Sequence, residues 1–307
     1  GGGSVVAVGG AAVAPGRVAA GRRGRAVRNG AGRRAARLGR HLAGDAVGYG
    51  RTTGVMHDGQ LSLVRRAHAE NGCVVVSSFV NPADFPTLDE PGPMHRDEER
   101  DLALLERDGA SIVFLPEVGT LYPPDDVTRV TVEGLTRQLE GASRPGHLDG
   151  LTTVMLKMVH LVGPASIYLG QRHAQQVVIL RRMLRDLFMN VQMVICPTVR
   201  EADGLAVSSA NAQLSIEERH AATCLFAALN AARHAYDYGE RSAEVLRARM
   251  PELIAAEPSA RPDSIRVADA TTLLAPPHRP APSPAACRSW TRPPRHPPPH
   301  PPAPPTP

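Results

Sequence analysis

The turn RTTGVMHDGQ (51–60) and the apolar segment LSLVRRAHAE (61–70) that follows it are the part of the sequence around which the rest of the chain is organised. A glycine-containing turn leads into an amphipathic helix and places His57 near the amino end of that helix. Helix amino ends carry unsatisfied N–H groups and a partial positive charge, so they suit a phosphate group. Alone, the pattern is also typical of an ordinary loop before a helix, and the phosphate interpretation depends on the rest of the chain.

Two β-branched segments without alternation follow, CVVVSSFV (73–80) and SIVFLP (111–116). Such segments are typical of strands buried on both faces of a parallel sheet. A charged helix (97–109) lies between them, and DAVGYG (45–50) occupies the place of a first strand, although its two glycines make it a poor one. This order predicts an α/β fold with a Rossmann-type doubly wound parallel sheet and ligands beyond the carboxyl ends of the strands.

The second half of the chain repeats the alternation and then becomes helical. The predicted elements are a helix over 151–162, strands over 165–170 and 191–199, a helix from about 176 to 188, a capping-box helix from Ser215 to about 236, a helix from about Ser242 and a short strand over 264–269. Pro251 should break or kink the last helix.

The basic charge belongs to a tail. Residues 1–40 hold nine arginines and no acidic residue, with at most a frayed helix around 31–43, and without them the net charge of +5 becomes about −4. No aromatic residues are interleaved for stacking on bases, so an unstructured extension is favoured over a nucleic-acid-binding arm. From Pro276 onward the chain holds 15 of its 29 prolines, and no packed structure is expected there.

Four regions follow from these observations. They are an Arg/Gly/Ala-rich disordered tail (1–43), a Rossmann-like nucleotide-binding domain (44–199), a smaller, truncated C-terminal α+β domain (200–275) and a proline-rich disordered tail (276–307). No apolar run reaches membrane-spanning length, so no membrane partner is expected. The four cysteines have no CxxC spacing and are interpreted as reduced thiols of a cytoplasmic protein without a metal site of its own.

Seven segments, taken in order, resemble one family. They are TTGVMHDG (52–59), VVVSSFVNP (74–82), FLPEVGTLYP (114–123), LEGASRPGH (139–147), GQRHAQQ (170–176), READGLAVSSAN (200–211) and RVADATTLL (266–274). Their order and spacing resemble the pantoate–β-alanine ligases, also called pantothenate synthetases. The resemblance covers about three quarters of the chain.

The resemblance implies a two-step reaction that uses ATP and Mg²⁺. Pantoate attacks the α-phosphorus of MgATP to give pantoyl adenylate and pyrophosphate, and β-alanine then displaces AMP to form the amide. It also implies a nucleotidyltransferase-like domain and a homodimer. The residues that it places at the ATP site are Thr53, Gly54, His57, Gly59, Gln60, Gly170, Arg172, His173, Val199, Val207, Ser208, Ser209 and Ala210.

The catalytic positions of the family correspond to His57, Gln60 and Arg172, and two of these differ from the family pattern. Gln60 replaces a second histidine, so it can donate to a phosphate but has no proton that titrates near neutral pH. Arg172 replaces a lysine and keeps the charge in a planar fork. Further departures are Thr53 for a methionine, His173 for a carboxylate and Ala210 for an arginine.

The resemblance places the acid substrate against a second group of residues, which are Asn81, Asp84, Arg144, His147 and Gln176. Asp84 stands where the family has a glutamine, and an anion there disfavours an anionic substrate. Three functions remain open: a pantoate–β-alanine ligase with full or weakened activity, a paralogous ligase that adenylates another acid, and a non-catalytic nucleotide-binding homologue. The substitutions at Gln60, Arg172 and Ala210 argue against full activity. Four retained residues argue against a wholly decayed site: His57, Gln176, Ser208 and Ser209.

Overall fold

The computed structural model describes residues 4–6, 27–28, 47–52, 55–79, 81–82, 97–260, 262 and 265–274. The strands within these residues are β1 (Ser4–Val6), β2 (Val27–Arg28), β3 (Val47–Thr52), β4 (Cys73–Ser78), β5 (Ile112–Leu115), β6 (Ser166–Gly170) and β7 (Gln192–Cys196). The helices there are α1 (Asp58–Glu70), α2 (Glu98–Arg107), α3 (Val118–Leu121), α4 (Glu140–Ser143), α5 (His147–Val162), α6 (Ala174–Asp186), α7 (Ile216–Ala221), α8 (Cys224–Asp237) and α9 (Ala243–Ala255). Short 3-10 turns cover Leu135–Arg137, Gln171–His173 and Ser209–Gln213.

The strands of the described residues form one sheet in the order β2-β1-β5-β4-β3-β6-β7. Strands β3 to β7 pair in parallel, and β1 and β2 add antiparallel to the β5 edge. The chain moves outward from β3 through β4 to β5 and then returns to β6 on the other side of β3. This reversal brings the carboxyl ends of β3 and β6 together, which is where doubly wound sheets bind ligands. The predicted fold class is confirmed.

Helices cover both faces of the parallel strands. On one face, α5 and α6 pack on Val75 and Ile167 of the sheet, and on the other face α1 and α2 pack on Val74 and Val76. Consecutive valines of β4 therefore face opposite cores, and each is at most 1% exposed. The absence of hydrophobic alternation in this segment follows from that double burial.

Strand β3 lies at the centre of the sheet in spite of its glycines, so the expectation of a poor strand is wrong. It pairs with β4 from Val47 to Thr52 and with β6 from Gly48 to Gly50. A Cβ atom on Gly48 would lie 2.9 Å from Asn71 Nδ2 and 3.1 Å from Tyr168 Cε2. The side chain of Asn71 donates to Tyr168 Oη at 2.6 Å beside this glycine. Glycine is therefore required by close packing rather than by a turn.

In the C-terminal region, one long helix and one short strand are predicted wrongly, and the predicted break at Pro251 does not occur. The helix from Ser215 begins with the predicted capping box but ends at Ala221, because Thr223 donates both its hydroxyl and its backbone N–H to His220 O. Helix α9 continues through Pro251 to Ala255, where Ile254 packs beside α8. Residues 265–269 form no strand, because Asp269 accepts the N–H groups of Thr271 and Thr272 in a turn.

Other predicted boundaries shift by a few residues, and parts of the chain lie outside the described residues. Helix α1 starts three residues before the predicted position and α5 four residues before it. In the amino-terminal region expected to lack structure, Ser4–Val6 and Val27–Arg28 are strands of the sheet, and Val27–Arg28 forms its edge. The frayed helix proposed around 31–43 and the proline-rich tail over 276–307 fall outside the described residues.

Lys157, the single lysine of the chain, binds residues of a surface loop. Its Nζ donates to Asp126 Oδ2 at 2.8 Å and to the carbonyl oxygen of Leu121, and it lies 4.3 Å from the centroid of the Tyr122 ring. Asp126 also accepts from Arg129 at 2.9 Å. These contacts fasten residues 121–129 to α5.

Phe188 ends α6 in a left-handed conformation that an aromatic residue rarely adopts. Its φ is +52°, and its N–H and that of Met189 donate to Arg185 O and Leu184 O. This is the Schellman arrangement, which favours glycine or asparagine at the position of Phe188. The Phe188 side chain is 95% exposed, so it gains little packing in return.

We expect Phe188→Asn to raise the free energy of unfolding by about 0.5–1.5 kcal/mol, because left-handed backbone costs most residues about 1–2 kcal/mol. Urea-induced unfolding followed by circular dichroism measures this change. Leu187→Asn is the matched control, since Leu187 is exposed but has an ordinary φ of −93°. Equal midpoints for Phe188→Asn and the unmodified protein would contradict the expectation.

Candidate active site

The first segment of the site is the amino end of α1, where His57 is the N-cap. Nδ1 of His57 accepts the N–H of Gly59 at 3.1 Å, so in the neutral ring the proton is on Nε2. Gln60 Oε1 accepts the N–H of His57 at 3.1 Å, which completes a capping box. The sequence RTTGVMHDGQ therefore encodes its own helix start. His57 is half-buried at a helix amino end, as the sequence predicts.

Because Gly59 has no side chain, this turn can lie close to the loop that follows β7. A Cβ atom there would lie 2.9 Å from His57 Cε1 and 3.6 Å from the carbonyl oxygen of Val207. A larger residue would push the imidazole out of the cap. Gly59 thus keeps the ring and the loop that follows β7 in contact distance.

The second segment is the 3-10 turn Gln171–His173, which follows β6. Arg172 is exposed, and its Nη1 donates to Val207 O at 3.4 Å. Burial of the imidazole, and after it the charge of Arg172, lowers the pKa of His57, whereas Asp58 acts in the opposite direction. His57 is therefore neutral at pH 7, and a neutral ring with its proton on Nε2 is a hydrogen-bond donor.

The third segment is the loop from Val199 to Gln213. Val207 N–H donates to Val199 O at 3.0 Å, and Ser208 caps the 3-10 turn Ser209–Gln213 by accepting from Ala210 N–H at 3.4 Å. Asn211 Nδ2 donates to Ala206 O at 3.0 Å. Two ion pairs of Arg219, with Glu201 and Asp203 at 2.7 and 2.8 Å, anchor the start of this loop to α7.

These three segments, residues 57–60, 170–173 and 207–210, form what we call the phosphate cradle. They follow β3, β6 and β7, three neighbouring strands of the sheet. Val207 O lies 3.4 Å from Arg172 Nη1 and would lie 3.6 Å from a Cβ on Gly59, so it marks the meeting point. The Arg172 guanidinium contacts this oxygen, and the segments that meet there also carry the start of α1 and the side chains of Ser208 and Ser209. This is donor chemistry that suits phosphate oxygens.

Beside the cradle lies the carboxylate loop, residues 134–147, which carries Glu140, Arg144 and His147. His147 Nε2 lies 3.4 Å from Glu140 Oε1, and the hydrogen bond between them lowers the pKa of Glu140 against the effect of burial. The charges of Arg144 and of His173 in the cradle lower it further. Electrostatic coupling between His173 and Glu140 thus joins the loop to the cradle. Arg144 is exposed, whereas His147 is buried.

The remaining predicted site residues divide into those that the structure describes and those that it does not. Asn81 follows β4 and is fully buried, and Gln176 is half-buried in the first turn of α6. Gly170 ends β6 with an ordinary φ of −76°. Thr53, Gly54 and Asp84 lie outside the described residues.

Three supporting residues escaped sequence reasoning. The Asp101 carboxylate in α2 accepts the buried N–H of Met56 at 3.1 Å and so fixes the approach to His57. Gln175 binds three backbone groups of the carboxylate loop. Glu140 lies in the segment LEGASRPGH, and Gln175 in GQRHAQQ, so the segments were identified but these positions within them were not.

The described residues offer no cluster of three His, Cys, Asp or Glu side chains that would hold a metal ion. A Mg²⁺ ion that keeps waters and binds phosphate oxygens needs few protein ligands. The cradle is therefore compatible with a cation carried by a nucleotide. Among the same residues, no helix is both long and apolar enough to cross a membrane.

A doubly wound sheet with this cradle at its switch point defines a nucleotide-binding α/β protein. Comparison with known proteins agrees: the family model described as pantoate-beta-alanine ligase matches residues 26–290. The pantothenate synthetase of Roseiflexus castenholzii is 48% identical over 236 residues, which are 77% of this chain and 84% of that protein. The pantothenate synthetase of Rhizobium etli is 45% identical over 230 residues, 75% of this chain and 77% of that protein.

Solved structures give the same answer. A crystal structure of pantothenate synthetase from Thermus thermophilus matches with a TM-score of 0.74 and 42% identity, over 78% of this chain and 87% of that one. Pantoate-beta-alanine ligase from Francisella tularensis, complexed with beta-gamma ATP and beta-alanine, matches with a TM-score of 0.60 and 29% identity, over 72% and 83%. The chain belongs to the pantoate–β-alanine ligase family.

Proposed function

We propose that the chain catalyses the ATP-dependent ligation of pantoate and β-alanine through a pantoyl adenylate. The carboxylate of pantoate attacks the α-phosphorus of ATP and pyrophosphate leaves. The amine of β-alanine then attacks the acyl carbon and AMP leaves. One observation carries the proposal: the turns after β3 and β6 both approach Val207 O in the loop after β7, which brings Arg172 and the start of α1 together.

The cradle residues take complementary roles in the adenylation step. Arg172 places a guanidinium at phosphate oxygens that gain negative charge in the transition state. His57, neutral and with its proton on Nε2, donates a hydrogen bond there, while its Nδ1 remains in the helix cap. Gln60, Ser208 and Ser209 add donors, and the glycines at 59 and 170 leave room for the nucleotide.

The carboxylate loop and its neighbours hold the acid. Arg144 supplies a cation, and Asn81 and Gln176 supply amide groups for the hydroxyl and carboxylate oxygens of pantoate. Glu140 keeps His147 in place and balances the local positive charge. Asp84 adds an unfavourable charge in this assignment, which supports slower turnover with pantoate.

The substitutions at Gln60, Arg172 and Ala210 support a rate below that of family members with the complete motifs. Each lost charge-stabilising donor costs on the order of 10²–10³ in rate at such sites. These costs are not additive, because residues of one constellation act together. The proposal is therefore a weakened ligase with the family's substrates.

Further parts of the proposal rest on the family resemblance and on composition. Mg²⁺ enters with ATP, where it neutralises phosphate charge, and no protein residue is assigned to it. The chain acts as a homodimer in the cytoplasm, and the buried thiols of Cys73, Cys196 and Cys224 suit a reducing compartment. The nucleotide-binding domain covers 44–199, and the smaller domain covers 200–275.

ATP–pyrophosphate exchange with Mg²⁺, with and without pantoate, tests the function. We expect pantoate-dependent exchange in the unmodified protein and faster exchange, by about 10²-fold, in Gln60→His/Arg172→Lys/Ala210→Arg, because that variant restores the missing donors. Exchange with another hydroxy acid but not pantoate would replace the proposal with a paralogous ligase. Nucleotide binding without exchange in either protein would replace it with a non-catalytic homologue.

A further inference from the structure

Gln175 connects two parts of the site that are far apart in sequence. Its Oε1 accepts the backbone N–H of Glu140 at 3.0 Å. Its Nε2 donates to Gln138 O at 2.7 Å and to Leu135 O at 3.3 Å. One side chain thus binds three backbone groups of the carboxylate loop, and each bond spans 35 to 40 residues of sequence.

The segment that Gln175 holds is strained. Leu139 has φ +49° and ψ −116°, a region that non-glycine residues avoid, and Gly141 N–H closes the turn by donating to Gln138 O at 2.8 Å. Strained backbone of this kind costs on the order of 1–3 kcal/mol and persists only where the surroundings fix it. The bonds of Gln175 lie on both sides of Leu139, at residues 138 and 140.

Gln175 also belongs to the segment that forms the cradle. It lies in the first turn of α6, three residues after Arg172 and two after His173. The charge of His173 acts on Glu140 across the same boundary. The 3-10 turn before α6 therefore belongs to the phosphate cradle, and the first turn of α6 binds the carboxylate loop.

We propose that Gln175 is a positioning residue that fixes the carboxylate loop relative to the phosphate cradle and so sets the affinity for the acid substrate. The inference rests on the proposed function for its substrate. Gln175 makes its bonds to backbone, and it acts on the acid through Glu140, Arg144 and His147. Loss of the three Gln175 hydrogen bonds releases the strained turn at Leu139. The acid-binding side chains then lose their fixed distance from the α-phosphorus.

The test is Gln175→Leu, which keeps the size of the side chain and removes all three bonds. We expect KM for pantoate to rise about tenfold while KM for ATP and kcat change by less than about threefold, because uniform binding of one substrate is what the variant removes. Gln192→Leu is the matched control, since Gln192 is exposed at the start of β7, at the other end of the strands. Equal increases in both KM values, or none, would overturn the proposal.

A second readout needs no turnover. Amide hydrogen exchange of residues 135–141 should accelerate in Gln175→Leu, with the Glu140 amide most affected, while the amides of β4 and β6 stay protected. Gln175→Glu keeps the acceptor for Glu140 N–H but loses both donors, so an intermediate acceleration is expected. Unchanged amide hydrogen exchange over residues 135–141 would contradict the proposal that Gln175 fixes this loop. Absence of pantoate-dependent ATP–pyrophosphate exchange in the unmodified protein would instead refute the proposed function. In that case, amide hydrogen exchange alone would test the role of Gln175.

Discussion

Arg172→Ala is expected to lower pantoate-dependent ATP–pyrophosphate exchange by about 10²–10³-fold, the usual loss when a preorganised charge-stabilising donor is removed. The guanidinium of Arg172 is the cation that the structure places at the meeting point of the cradle, 3.4 Å from Val207 O. Serine hydroxyls and the neutral His57 ring remain in the variant, but they carry no full charge. The fall should appear in kcat, because the charge that Arg172 stabilises develops in the transition state.

The same variant should raise the pKa of His57 but leave it below the ordinary histidine value, which a misfolded protein with an exposed imidazole would reach. The charge of Arg172 lowers the pKa of His57, so its removal raises that pKa, while burial, the larger cause, continues to lower it. Histidine resonances followed by NMR against pH report this shift. Arg172→Lys should exchange at least as fast as the unmodified protein, since it keeps the charge and restores the lysine of the family motif.

Arg181→Ala is the control for Arg172→Ala. Arg181 is exposed on the same helix-turn unit but lies more than two turns further along α6. We expect its exchange rate to stay within about twofold of the unmodified protein. A comparable loss in both variants, or an unchanged rate in Arg172→Ala, would show that the cradle is not where charge is stabilised.

Gly141→Ala is expected to lower the free energy of unfolding by about 1–3 kcal/mol and to disturb acid binding as well. A Cβ atom on Gly141 would overlap the carbonyl group of Thr136, which is backbone and cannot rotate away. It would also lie 3.1 Å from Leu148 Cδ1 in the core. Overpacking of this kind costs about 1–3 kcal/mol because the backbone must shift. Here the backbone that shifts is the carboxylate loop.

Thermal unfolding and KM for pantoate together measure the effect of Gly141→Ala. We expect a melting temperature lower by several degrees and a KM for pantoate higher by at least about tenfold. Gly119→Ala is the matched control: Gly119 is exposed in α3, and a Cβ there meets nothing within 4 Å. Helix propensity alone should make that control neutral or slightly more stable. If the Gly141→Ala protein were as stable as the control, the backbone at Thr136 would have moved aside at no cost, and the expectation would be wrong.

The sequence predicts the parts of this protein that local pattern encodes. Buried valine runs predict β4 and its neighbours, and the turn before α1 predicts the position of His57. It does not predict that β3 needs Gly48, because that need arises from Tyr168 and Asn71, which come from other elements. Nor does propensity reveal the break before α8, which depends on the bonds that Thr223 makes to His220 O.

The site shows the same division. The motif order predicts the three cradle segments, and the structure brings them together, although the roles of individual residues stay predictions. Gln175 and Asp101 act through backbone groups 35 to 45 residues away, and no local spacing encodes such bonds. Sequence reasoning finds residues whose type is demanded by chemistry. Residues that support a distant backbone segment, such as Gln175, can be recognised only in the structure.

The contacts of Lys157 with its neighbouring loop have a practical consequence for labelling the protein. With 34 arginines and one lysine among its basic residues, the chain offers one side-chain amine to acylating reagents. The Lys157 side chain is 24% exposed, and its amine binds Asp126 and the carbonyl oxygen of Leu121. Among side chains, reagents that couple through amines would therefore modify one defined site on α5 or none. Coupling through an engineered surface cysteine avoids detaching the loop that this amine secures.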